Sequence, residues 1–311
     1  MPNGYNTNSS KEHSNLPFNY YGTNMVAVRG DSRYQQIYDA SQFSSLPPGG
    51  ALLSYIEFRS GCGSRNAVIF SNNAAIFLTI STTQKAVDGL SPRFADNLGP
   101  DQITVFSNEL FLVLGDNGPC DSRPKATDWR AHLFLQAPFF YDPHKGNLLL
   151  DMRIPKGTLT RQNFLVDLMD TEIVSTFGDS MSRMVGAGLN ATNAETIDSA
   201  GLVTQFHFVP YPPVIRATYF SASQPEPGLG LDWFVQPKSA KLQLTTQSPP
   251  TSGWVDYQGV IGDDGIRRGI FIPLADLKKQ QFFRLFIPPG QPGLPSLQSD
   301  EALSVPDGDT Q

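Results

Sequence analysis

Apolar and polar positions alternate with a period of two along much of the chain. Ile76, Leu78 and Ile80 point one way while Phe77 and Thr79 point the other. Leu110, Leu112 and Leu114 alternate with Glu109, Phe111 and Val113, and Ala131, Leu133, Leu135 and Ala137 with His132, Phe134 and Gln136. Two further runs set Leu148, Leu150, Met152 and Ile154 against Leu149, Asp151 and Arg153, and Leu202, Thr204, Phe206 and Phe208 against Val203, Gln205 and His207. Successive side chains leave opposite faces of a strand, so the pattern predicts strands with one buried and one wetter face. Between the runs lie turn signals: Leu46-Pro47-Pro48-Gly49-Gly50, Asp116-Asn117-Gly118-Pro119 and Asp142-Pro143-His144-Lys145-Gly146-Asn147. Helical periodicity is weak. Its best candidates are Met181–Leu189, interrupted by Gly186 and Gly188, and a single turn at Ala275–Gln280.

Short strands with regular punctuation predict an all-β chain built from sandwiches. The stretch Val209-Pro210-Tyr211-Pro212-Pro213 marks a boundary. The expected organisation is an N-terminal arm (1–18), a jelly-roll-like β-sandwich (19–210), a smaller immunoglobulin- or fibronectin-like sandwich (211–287) and a C-terminal tail (288–311). In the smaller sandwich the expected strands are Ile215–Phe220, Leu231–Val235, Lys241–Thr246, Trp254–Ile261, Gly269–Leu274 and Phe282–Ile287. Both ends are polar and poor in apolar side chains, so ordering them calls for contacts their own composition does not supply, such as those with other copies of the chain.

Charge narrows the partners. A net charge of −6 over 311 residues repels a phosphate backbone, so nucleic acid is not an expected partner. No run reaches the roughly 18 apolar residues of a membrane-spanning helix. The start, Met1-Pro2-Asn3-Gly4-Tyr5, lacks the basic region and apolar stretch of a signal peptide, which leaves open both its prior removal and another route. Cys62 and Cys120, the only cysteines, both sit in Gly-rich turns. Two cysteines without a clustered histidine set do not make a zinc site; they read as one disulfide, with two free thiols as the alternative.

The run Arg33-Tyr34-Gln35-Gln36-Ile37-Tyr38-Asp39-Ala40-Ser41-Gln42-Phe43 resembles the opening of a β-sandwich domain recurrent in exported proteins of planctomycetes, verrucomicrobia and PEP-CTERM-bearing bacteria. Ile80–Thr83, Leu90–Asn97, Tyr141–Asp151 and Gly201–Phe206 fit the same pattern, so the likeness covers roughly residues 20–210. Leu231-Asp232-Trp233, Gly253-Trp254 and Gln281-Phe282-Phe283-Arg284-Leu285 resemble a module of verrucomicrobial surface proteins. The C-terminal sorting helix often found in such proteins is missing from this sequence. The resemblance implies a fold and an extracellular or cell-surface location, and no catalytic residues.

Candidate chemistry is sparse. Phe177-Gly178-Asp179-Ser180-Met181-Ser182 is similar to the nucleophile block of GDSL-type esterases, whose serine needs a histidine as base and an acid to orient it. After Ser180 the only histidine is His207, and Thr204 stands where that family's acid would be, so the motif reads as a turn. His13, His132, His144 and His207 have no metal-ligand spacing. Acidic turns at Asp116/Asp121, Asp88/Asp96/Asp101 and Asp263/Asp264 could offer oxygen ligands to calcium, but acidic residues are ordinary turn formers. Tyr20-Tyr21, Phe139-Phe140-Tyr141, Tyr211 and Tyr257 are candidates for a sugar-stacking platform or subunit interface, against the plainer reading of core packing. Neither cofactor nor metal is expected. The expected function is a non-catalytic structural subunit whose partners are other copies of itself or other surface proteins. A carbohydrate- or surface-binding module is the alternative, with a hydrolase behind it.

Overall fold

The computed structural model describes residues 31–59, 75–109, 133–155, 180–199 and 201–288 (apart from 222, 224, 236–237, 249 and 265), residue 294, and strand segments at 13–14, 68–70, 111–113, 129–132, 159–161, 169–170 and 303–304. Among them there is no α-helix; strands are joined by turns and short 3₁₀ segments. Contacts divide the chain into two compact units, Met1–Phe208 and Val209–Gln311.

In the first unit the principal strands are β1 (Ser32–Tyr38), β2 (Ala51–Arg59), β3 (Ile76–Thr83), β4 (Ile103–Asn108), β5 (Trp129–Tyr141), β6 (Asn147–Ile154), β7 (Met181–Ala187), β8 (Thr196–Asp198) and β9 (Thr204–Val209). Six of them form one sheet in the order β8-β7-β1-β6-β3-β4, and three form another in the order β9-β2-β5. The chain repeatedly crosses between sheets: β1 and β3 flank β2 in sequence but lie in the other layer, as in a jelly roll. Tyr34, Tyr38, Leu78, Ile80, Leu148, Leu150 and Met152 from the larger sheet meet Leu53, Ile56, Phe58, Leu133, Leu135 and Phe139 from the smaller one in a continuous core. This is the predicted all-β sandwich.

The larger sheet departs from a one-wet-face pattern. All seven residues of β1 are buried, as are five consecutive residues of β6. The segment 87–97 lies across the second face and forms a smaller core in which Val87, Leu90 and Phe94 pack on Ile37, Leu149 and Met184. Leu149 and Asp151, expected on a wetter face, are therefore buried. Asp151 is held by Arg33 (Nε 3.1 Å, Nη2 2.5 Å) and Gln35 (Nε2 3.0 Å), and the Arg33 guanidinium lies 4.7 Å from the Phe94 ring centre. A charge can be carried inside only when paired and hydrogen-bonded in this way.

That cover also corrects the helix candidate. Met181–Ala187 is strand β7, in register with β1 from Met181 opposite Tyr38 to Ala187 opposite Ser32. A strand whose two faces are both covered loses its alternation, and short apolar runs then read ambiguously. The other candidate, Ala275–Gln280, is a 3₁₀ turn at Leu274–Asp276.

The second unit holds β10 (Arg216–Phe220), β11 (Gly228–Phe234), β12 (Lys241–Thr245), β13 (Val255–Asp256), β14 (Gly262–Asp263), β15 (Arg267–Pro273) and β16 (Phe282–Phe286). Its two four-stranded sheets have the orders β10-β11-β15-β14 and β13-β12-β16 followed by Leu303–Ser304. Leu229, Leu231, Trp233, Ile270 and Ile272 of the first pack against Leu242 and Phe283 of the second. Of the expected tails, only short segments lie within the described residues. His13–Ser14 pairs with Met169–Asp170, and Leu303–Ser304 pairs with Phe282–Phe283, so these segments bind their own chain through main-chain hydrogen bonds that need no apolar side chain.

Candidate functional site

The outward face of the sheet containing β10, β11 and β15 carries the most distinctive surface. Register places Arg216, Thr218 and Phe220 opposite Asp232, Gly230 and Gly228, and Gly230 opposite Phe271. Glycine in a strand leaves backbone uncovered. Here the gap is filled by rings: a Cβ on Gly230 would lie 3.1 Å from the Phe220 ring, and one on Gly228 would lie 2.7 Å from that of Phe271. The two rings meet edge to face at 5.7 Å. Their partial exposure therefore has a structural origin in covering the strand.

Beside them opens a groove of about 610 Å³ lined by Arg216, Asp232, Gly262, Asp263, Asp264, Arg267, Arg268 and Gly269. Gly262 and Gly269 face each other in register at its floor. Arg267 pairs with Asp232 and lies 4.8 Å from the Phe234 ring centre; Arg268 donates to Asp263 (3.0 Å). Asp264 accepts the backbone N–H groups of Arg267 and Ile266 (2.6 and 2.9 Å), which hold its carboxyl below the ordinary carboxylate value. Among the described residues the Arg216 side chain has no hydrogen-bond or ion-pair partner. Chemically, the groove offers planar forked donors and acceptors suited to hydroxyl pairs or a carboxylate.

A second cluster lies in the first unit, where His207 on β9 contacts Glu57 on β2 at 2.5 Å and stacks on Tyr55 with 3.8 Å between ring centres. Phe134 adjoins Tyr55 at 5.4 Å and is half exposed. This pairs a carboxylate with an imidazole beside exposed aromatic area. Ser180, from the esterase-like motif, is buried just before β7 in the other sheet, and among the described residues its hydroxyl has no hydrogen-bond partner. The serine and the imidazole thus belong to different layers, with His207 engaged by Glu57; Phe177–Asp179 lie outside the described residues.

Other nominated residues are dispersed. Cys62 and Cys120, the expected disulfide pair, lie outside the described residues, as do Tyr20, Tyr21, Asp116 and Asp121. Asp88 accepts from Ser182, Asp96 from Ser91 and Asp101 from the Thr82 N–H, each serving a separate local contact. Among the described residues no group of three or more His, Cys, Asp or Glu could hold a metal ion. Phe139 and Tyr141 are core residues, and Tyr257 packs on the smaller core. His144 is exposed and contacts Asp142. The residues that the sequence reading passed over are Arg216, Tyr219, Phe220, Asp232, Arg267 and Phe271. The visible signals were strand patterns only: 215–220 after a Pro-rich boundary for Arg216, Tyr219 and Phe220, 231–235 for Asp232 and 269–274 for Phe271, with none for Arg267.

Against protein-family models, curated proteins and solved structures, the chain finds no match. Among the described residues no helix is long and apolar enough to cross a membrane.

Proposed function

We propose that this chain is a non-catalytic structural subunit of an extracellular or cell-surface assembly, associating with other copies of itself or with other surface proteins. The observation that carries this reading is β10, a five-residue edge strand with every residue exposed, including Tyr219 at 62 % and Phe220 at 37 %. Long, flat, apolar edges are templates for another chain, and proteins without such a partner blunt them. The exported-protein resemblance of residues 20–210 supports the location. Sedimentation of the intact chain over a wide concentration range tests the proposal. A concentration-dependent rise in mass is expected, and a monomer throughout would overturn it.

The groove supports a second reading, a carbohydrate- or surface-binding module. Planar Arg and Asp side chains around a glycine floor match the hydrogen-bonding needs of sugar hydroxyls. Binding on a glycan array that Asp263→Ala abolishes would favour this reading over assembly.

A further inference from the structure

The geometry points to the partner at the open edge: β10 pairs antiparallel with β10 of a second copy about a two-fold axis at Thr218. This inference rests on the assembly reading and names its contact.

The hydrogen-bonding parity of the edge follows from the neighbouring ladder. Val235 N–H bonds the Ile266 carbonyl and Leu274 N–H bonds the Pro227 carbonyl; both continue the β11–β15 register. Bonded and non-bonded pairs alternate in an antiparallel ladder, so Leu229, Leu231 and Trp233 turn their main-chain groups toward β15. Gly228, Gly230 and Asp232 turn theirs toward β10, where they meet Phe220, Thr218 and Arg216. The N–H and C=O groups of Ala217 and Tyr219 therefore face outward, and among the described residues no strand takes them.

The other edges of this unit are guarded. β14 and β13 are two residues long and carry Asp263 and Asp256, and the edge of β16 is covered by Leu303–Ser304 from the same chain. Short charged edges resist pairing. β10 is longer, its one charge, Arg216, sits at its first residue, and its sequence is complementary to itself. With Thr218 opposite Thr218 of the second copy, Ala217 faces Tyr219 and their outward main-chain groups exchange hydrogen bonds. On the outward face the Arg216 side chain, which has no partner among the described residues, falls opposite Phe220 of the second copy, a cation–ring pairing. Thr–Thr is a favourable cross-strand pair, and the small Ala217 leaves room for the Tyr219 ring. No like charges meet. The interface is isologous and closes on itself.

Three variants of the full chain test this by sedimentation. Ala217→Pro removes only an outward donor, a substitution edges tolerate. Thr218→Lys places two ammonium groups against each other at the axis. Each is expected to weaken self-association by about tenfold or more with an unchanged β-type circular dichroism spectrum. Thr218→Cys should form a disulfide-linked dimer under oxidising conditions that wild type does not form, since facing non-bonded residues lie within disulfide reach. If Ala217→Pro fails to fold, Thr218→Lys decides. Multimers of wild-type strength in Thr218→Lys, with no cross-link in Thr218→Cys, would overturn this contact and leave the assembly reading standing. A wild-type monomer at all concentrations would overturn both.

Discussion

Tyr34 and Tyr38 are wholly buried on one face of β1, and their phenols are spent on internal contacts. Tyr38 Oη lies 2.7 Å from Thr204 Oγ1, which donates in turn to the Leu202 carbonyl at 3.1 Å. Tyr34 donates to Gln36 and accepts the Leu202 N–H. Burial raises both phenols well above their ordinary value, and Tyr141, which donates to the Gly146 carbonyl, is raised for the same reason. The folded chain therefore keeps protons that an unfolded chain releases from about pH 10 upward. With more protons bound to the folded state, stability falls as pH rises beyond that point. Titration of phenolate absorbance, compared with that of the unfolded chain, checks this. Tyr34, Tyr38 and Tyr141 should ionise later, in one step with loss of near-ultraviolet circular dichroism. Tyr38→Phe should flatten the alkaline decline. A single reversible wave for all ten tyrosines with the fold intact would refute this account.

At the scale of elements, the segment 87–97 does the work of a third layer. Phe94 is fully buried under the Arg33 guanidinium, and its carbonyl accepts from Gln35, whose amide also reaches Asp151. Asn97 ties the segment to the sheet through Gln35 (3.1 Å) and closes its own turn on the Ser91 carbonyl (2.9 Å). Removing the Phe94 ring opens a cavity beside a buried ion pair. Phe94→Ala should cost about 3–5 kcal/mol, by analogy with large-to-small core changes. Chemical denaturation measures it, and a loss below about 1 kcal/mol would show that the layer is only draped on the surface. The same layer explains why β7 hid its strand character, and why β6, legible as a strand, was expected to have a wetter face that is in fact covered.

At the scale of the molecule, each unit carries its own core. The segment 303–304 covers the edge of β16, and 13–14 pairs with 169–170 in a separate two-stranded sheet. Compartment enters here through the cysteines. If the protein works outside the cell, Cys62 and Cys120 should be bonded, and intact mass spectrometry without reductant should give a mass two hydrogens below the reduced chain. In the chain-entropy picture that bond contributes about 4 kcal/mol. Alkylation of both thiols in the native protein would remove the disulfide and weaken the extracellular assignment.

Much of the architecture was legible in the residues. Period-two alternation and turn chemistry are local properties, so they identified an all-β sandwich fold and most strands without knowledge of neighbours. What a strand faces is not local. Asp151 looked like a wet-face residue because its shield, Phe94, lies far away in sequence and carries no mark of where it folds. For the candidate site, Arg216 to Phe220 were readable as a strand, yet nothing in those five residues says that one side would find β11 and the other no strand among the described residues. Edge position, hydrogen-bonding parity and the groove beside Arg216 depend on sheet order, and sheet order is set by long-range pairing that only the tertiary structure decides.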